Sequence, residues 1–136
     1  MNEHEEKLIA SFIVKSKKSR YRFLLESNDP KRRIEFVNKL NHCRDFDEMY
    51  VTWSSKNPRD LGRSERIIAW LRKNGSPNEV YYCGAADDDG KLMPLVKAMH
   101  ESDYSFGASI ISCIPGQLAY YYDEEGERRA ILKRKI

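Results

Sequence analysis

The sequence predicts an α+β domain in which N-terminal helices pack on one face of a mostly antiparallel C-terminal sheet of about four strands. Three observations predict it. Apolar residues recur at helical spacing through the first 75 positions. Beyond Gly75 they give way to short aromatic and β-branched runs bounded by Gly, Pro and Asp. The 136 residues contain no internal repeat and no low-complexity linker, which predicts that 1–136 is a single domain.

A first helix is expected from Glu3 to Lys15, because Leu8, Ile9, Phe12 and Ile13 share one face and three glutamates occupy the first turn, where the macrodipole favours them. Ser16 is a cap for a second helix that runs to Ser27 with Tyr21, Leu24 and Leu25 on one side. Asn28-Asp29-Pro30 ends that pattern and starts the next, with Asp29 as N-cap and Pro30 as first helical residue. Ile34, Val37 and Leu40 form the stripe of this third helix. Residues 42–63 are ambiguous, with strand propensity confined to Met49–Trp53. A further helix begins near Pro58 or Ser64, carries Ile67, Ile68 and Leu71, and ends at Arg72, Lys73 and Gly75.

The expected strands are 79–84, 108–114, 117–122 and 128–133, with a brief helix opening at Pro94 between the first two. Pro115-Gly116 suits a type II turn, so the connection there is expected to splay or to carry a bulge. Asp123–Glu127 reads as a hairpin loop. Tyr120 and Tyr122 alternate with Tyr121, which predicts that one face of the sheet keeps tyrosine rings near solvent.

Composition narrows the function classes. Hydrophobic residues at 40% suffice for a core. No apolar run approaches the ~18 residues of a membrane span. The acidic start Met-Asn-Glu-His-Glu-Glu is unlike a secretory signal. Cys43, Cys83 and Cys113 are odd in number and widely spaced, which predicts free thiols, a cytoplasmic location and core packing rather than a disulfide framework. Glycine-rich phosphate loops, paired zinc cysteines, the second histidine that His4-Glu5 would need for a zinc-protease helix, and a Gly-x-Ser-x-Gly elbow are all missing. No cofactor is expected.

The segments Leu40-Asn41-His42-Cys43-Arg44-Asp45-Phe46-Asp47 and Ser112-Cys113-Ile114-Pro115-Gly116-Gln117-Leu118-Ala119-Tyr120-Tyr121 resemble those of a group of small bacterial proteins without an assigned activity. The likeness extends through most of the chain, including the acidic loop before Met93-Pro94-Leu95. The resemblance implies a bacterial cytoplasmic protein and adds no chemistry.

Four constellations stand out. Residues 15–39 hold nine basic and three acidic residues. Lys17, Lys18, Arg20, Arg22, Lys31, Arg32 and Arg33 therefore form a candidate anion or nucleic-acid surface, set against the plainer reading of a solvated helical face. His42, Arg44, Asp45 and Asp47 form a polar knot in which a histidine beside carboxylates is a candidate general base and Arg44 an anion holder. The plainer reading is a charge-paired helix end.

Asp87, Asp88 and Asp89 are candidate Mg²⁺ or Ca²⁺ ligands, but the EF-hand count fails and Asp-Gly runs are usually turns, so no metal is expected. Cys113 is a candidate nucleophile only where a base approaches it; otherwise it packs in the core. Exposed aromatics beside charges predict a protein partner or homo-oligomer as the first function. A small enzyme joining 42–47 to the 87–89 loop is the first alternative, and a nucleic-acid binder through 15–39 the second.

Overall fold

The structure, a computed structural model, describes residues 1–53, 64–123 and 128–135. Its first three helices follow their local signals closely. α1 (Glu3–Phe12) starts with a capping box between Asn2 and Glu5. α2 (Lys18–Glu26) follows a 3₁₀ turn at Lys15–Lys17 and has no side-chain cap, so the capping role expected of Ser16 is not used. α3 (Pro30–Lys39) begins with Asp29 accepting from the Lys31 amide and Pro30 in the first turn.

Among the described residues the sheet has six antiparallel strands rather than about four. They are β1 (Val51–Trp53), β2 (Glu79–Gly84), β3 (Lys91–Pro94), β4 (Ser109–Ile114), β5 (Leu118–Tyr122) and β6 (Arg129–Lys133), in the spatial order β1-β6-β5-β4-β2-β3. The four anticipated strands form its centre, and the two additional ones are short edges. β1 pairs with β6 through Val51–Leu132 and Trp53–Ala130, and β3 pairs with β2 through Val80–Met93. Lys91 and Pro94 lie in the β3 edge strand, residue types that discourage further pairing. The β4–β5 register shifts between Ser112 and Ile114, and Gly116 turns the chain with φ 71°, which fits the bulge expected at Pro115-Gly116. Most of the hairpin loop expected at 123–127 lies outside the described residues.

A larger correction concerns the layers. Two helices, α4 (Ser64–Lys73) and α5 (Leu95–Asp103), pack on the face opposite α1–α3. On one face, Leu8, Phe12, Leu24 and Phe36 meet Tyr81, Ile110, Tyr121 and Leu132. On the other, Ile67, Leu71, Leu95 and Met99 meet Val80, Tyr82, Ile111, Tyr120 and Ile131. The helices of the first 75 residues therefore divide between the two faces instead of sharing one.

Both faces being covered explains why Tyr120, Tyr121 and Tyr122 are all buried, against the expected solvent-facing row. Strands covered on both sides carry continuous apolar runs, and Leu118–Tyr122 is such a run. At Gly84 the strands approach so closely that a Cβ would stand 2.5 Å from the Ser109 Cβ and 2.8 Å from the Ala108 carbonyl oxygen. Among the described residues no helix is long and apolar enough to cross a membrane.

Candidate functional site

The residues singled out in the sequence are placed in separate structural roles. His42 follows α3 in the left-handed region, with φ 53°. Its amide donates to Asp123 Oδ1 at 2.8 Å, and its imidazole Nδ1 lies 3.4 Å from Asp123 Oδ2. Asp45 accepts from the Tyr21 hydroxyl at 2.7 Å, while Asp47 caps the 3₁₀ turn Glu48–Tyr50 through the Met49 amide. Arg44 is exposed. His42, Asp45 and Asp47 have separate partners at the end of the α1–α3 layer, and the four residues do not converge on one another.

The acidic loop is neutralised by cations. Asp89 receives both Nε and Nη2 of Arg33, at 2.7 and 2.8 Å, and the Gly84 amide at 2.9 Å. Asp88 faces Lys91 at 3.1 Å and Lys97 at 3.4 Å, and the hydrogen bonds from these lysines hold its carboxyl below the usual range. Asp87 is exposed. No group of three or more His, Cys, Asp or Glu side chains is placed to hold a metal ion among the described residues.

All three cysteines are free and buried. Burial raises the thiol of Cys113 to about 11, moving it away from the reactive thiolate.

The basic residues of 15–39 are largely engaged within the fold. Lys18 donates to the Ala10 carbonyl at 2.7 Å, satisfying a helix end. Arg20 pairs with Glu35, and Arg32 lies over the Phe23 ring at 4.2 Å. Arg33 enters the interior between α1 and the acidic loop. Lys17, Arg22 and Lys31 have no such engagement among the described residues.

A polar network that sequence reading missed centres on Arg33. Its guanidinium bridges Asp89 and the buried Glu5, and Glu5 also accepts from the Tyr81 hydroxyl at 2.8 Å. Burial disfavours the charged guanidinium, but its hydrogen bonds to Asp89 and Glu5 outweigh that and raise its pKa. His4 stacks on the Tyr81 ring at 5.3 Å, and its Nδ1 is hydrogen-bonded to Ser112 Oγ at 2.7 Å. Burial lowers the His4 pKa, outweighing Glu3 and Glu5, and so favours the neutral ring.

This Ser–His pair is a joint rather than a catalytic dyad. Ser112 is buried in the middle of β4, where a nucleophile would have no access to substrate. The network ties α1, α3, β2 and the 87–89 loop together beside a cleft of about 450 Å³. Glu5 in a first helical turn had a sufficient local explanation in the dipole, so its second role left no mark in the sequence.

A larger groove, about 660 Å³, runs between α4 and α5 on the opposite face. Ile68, Val96, Met99 and Tyr122 supply its apolar lining, and His100, Asp103 and Arg129 its polar walls. Asp103 accepts from the Ser64 hydroxyl, Arg129 lies over Tyr122 at 5.3 Å, and His100 packs against Tyr104 at 4.6 Å. Tyr104, at 76% exposure, borders the groove, and Phe106, two residues on, is 91% exposed. The Tyr120 hydroxyl and Arg129 Nε are buried on this side without a hydrogen-bond partner among the described residues.

The arrangement is an apolar trough with a few polar groups and one projecting ring, Tyr104. Its one legible signal was the helical repeat Val96, His100 and Tyr104, in which polar and apolar residues share a face that a core helix would keep apolar. Comparisons of the chain with protein-family models, curated proteins and solved structures return no match.

Proposed function

We propose that the chain is a cytoplasmic protein-binding module whose docking site is the groove between α4 and α5. The observation that carries this reading is Tyr104, exposed on the lip of an open trough that Ile68, Val96 and Met99 line. Aromatic side chains bring large contact area at low entropic cost, and they are enriched where binding energy concentrates. A solitary exposed ring is ordinary, but Tyr104 and Val96 are both exposed along the same groove. The occupant that fits is an amphipathic segment of a partner protein, with its apolar anchors on Ile68, Val96 and Met99 and polar flanks toward Asp103 and Arg129. Free, buried thiols fit the reducing compartment in which such a partner would be met.

The test is site-specific photocrosslinking in cells, with the reactive residue at Phe106 or, as a control, at Phe23 across the molecule. A discrete adduct at 106 that disappears in a Val96→Lys, Tyr104→Ser background supports the groove. Sizing the same adduct separates a partner from a second copy of the chain. Equal, diffuse labelling at both positions contradicts the reading.

A further inference from the structure

We infer that the exposed stripe of α4, continued by the end of β6, is a docking surface for single-stranded nucleic acid. The inference is independent of the groove, which uses the Glu65 and Ile68 side of α4. Arg66, Trp70 and Lys73 fall at i, i+4 and i+7 along α4 and are exposed. Lys133 Nζ lies 5.8 Å from the centre of the Trp70 ring and donates to Asn74 Oδ1 at 2.8 Å, so the cations of β6 extend the stripe. Lys133 and Lys135 then line a small cleft with the amide side chains of Asn74 and Gln117. No carboxylate lines that cleft among the described residues. Residues 128–135 contain five basic and no acidic residues.

Around α2 and α3 the cations Lys17, Arg22 and Lys31 are interleaved with Glu26, Asp29 and Glu35, which weakens their field for a polyanion. There Arg20 and Arg33 already hold carboxylates and Lys18 a helix carbonyl. On α4 and β6, by contrast, Arg66, Lys73, Lys133 and Lys135 have no carboxylate within ion-pair reach among the described residues. Among the described residues no ion pair neutralises their field, and phosphates would release counterions from it. Trp70, 39% exposed in the middle of the stripe, offers a flat ring on which an unpaired base stacks. A duplex hides its base faces, so this combination selects a single strand.

The experiment titrates the full chain with an oligothymidylate of about twelve nucleotides, a length within the range one small domain covers. Expected are quenching of Trp70 emission and a loss of affinity of about 50-fold between about 50 and about 200 mM salt, the slope of roughly four phosphate contacts. Lys73→Glu with Lys133→Glu is expected to weaken binding more than tenfold. Trp70→Ala should cost about tenfold, and Trp70→Phe much less, at ~1–3 kcal/mol per stacked base. Lys17→Glu with Arg22→Glu should change affinity less than twofold, and circular dichroism confirms that each variant is folded. The inference is overturned by any of three results: no binding at low salt, equal binding of polyglutamate, or equal loss in the Lys17/Arg22 variant. Polyglutamate binding would make the stripe a site for an acidic protein.

Discussion

The two faces of the sheet are built from similar materials, yet they differ in how fully their buried polar groups are paired. Under α1–α3, buried or half-buried charges and hydroxyls find partners within the chain. Arg33 bridges Glu5 and Asp89, Tyr81 donates to Glu5, and Tyr21 donates to Asp45. Tyr121 donates to the Leu40 carbonyl at 2.5 Å and accepts from the Cys43 amide at 3.2 Å. Under α4 and α5, Ser109 donates to Ser102 and the Tyr82 hydroxyl accepts from the Ala86 amide. The Tyr120 hydroxyl and Arg129 Nε, however, are buried without hydrogen-bond partners among the described residues, and Val96 and Tyr104 are exposed along a groove. One face is tied together by its own polar groups; the other carries the proposed docking groove.

Removing the centre of the α1–α3 face is expected to do the most harm. Arg33→Ala would leave two carboxylates facing each other, one of them in the interior, and should lower unfolding free energy by about 3–5 kcal/mol. Urea denaturation measures this, and a loss below about 1 kcal/mol would mean that the network is solvated and the two faces are alike. Gly84→Ala comes next. Its Cβ would collide with Ser109 and the Ala108 carbonyl, so separation of β2 from β4 should cost about 1–3 kcal/mol.

A smaller, pH-dependent effect belongs to His4. Its folded pKa is lowered from 6.5 by burial, so below that value the unfolded chain binds a proton that the folded chain resists. Stability should therefore fall as pH drops below 6.5, and His4→Gln should flatten that part of the profile while leaving behaviour above pH 7 little changed. An unchanged profile would place His4 in solvent. At the small end, Tyr104→Ser and Phe106→Ser should alter stability by less than about 0.5 kcal/mol, because both side chains are exposed and removed from the core. A large loss in either would make the α4–α5 face structural.

The contrast between the faces also marks how far the sequence could be read. α1, α3 and the end of α4 were legible because their signals are local: a cap, a proline at the first position, a glycine past the last turn. The central strands were legible as apolar and aromatic runs. β1 and β3 were not, because three- and four-residue edge strands are defined by their partners, and Val51–Trp53 becomes a strand only by lying beside β6.

The side on which α4 packs was equally hidden. Ile67 and Leu71 mark an amphipathic helix without saying which face of the sheet receives it. The buried run Leu118–Tyr122 held the clue to a second helical layer, since a strand with one wet face alternates. For function, counting charges pointed to α2 and α3, where pairing at a distance, Arg20 with Glu35 and Arg33 with Glu5 and Asp89, consumes much of the charge. Partners 15, 28 and 56 residues apart leave no periodic trace.

The most direct test of the difference between the faces uses two adjacent residues of β5 and deletes one oxygen from each. Equilibrium unfolding of Tyr121→Phe and Tyr120→Phe should be measured side by side. Tyr121→Phe removes a donor and an acceptor from buried backbone partners and should lose about 1–3 kcal/mol. Tyr120→Phe removes a buried hydroxyl that has no partner among the described residues and should be neutral or stabilising by up to about 1 kcal/mol. Equal losses in the two variants would contradict the account, because they would show that the α4–α5 face is as fully satisfied as the one beneath α1–α3.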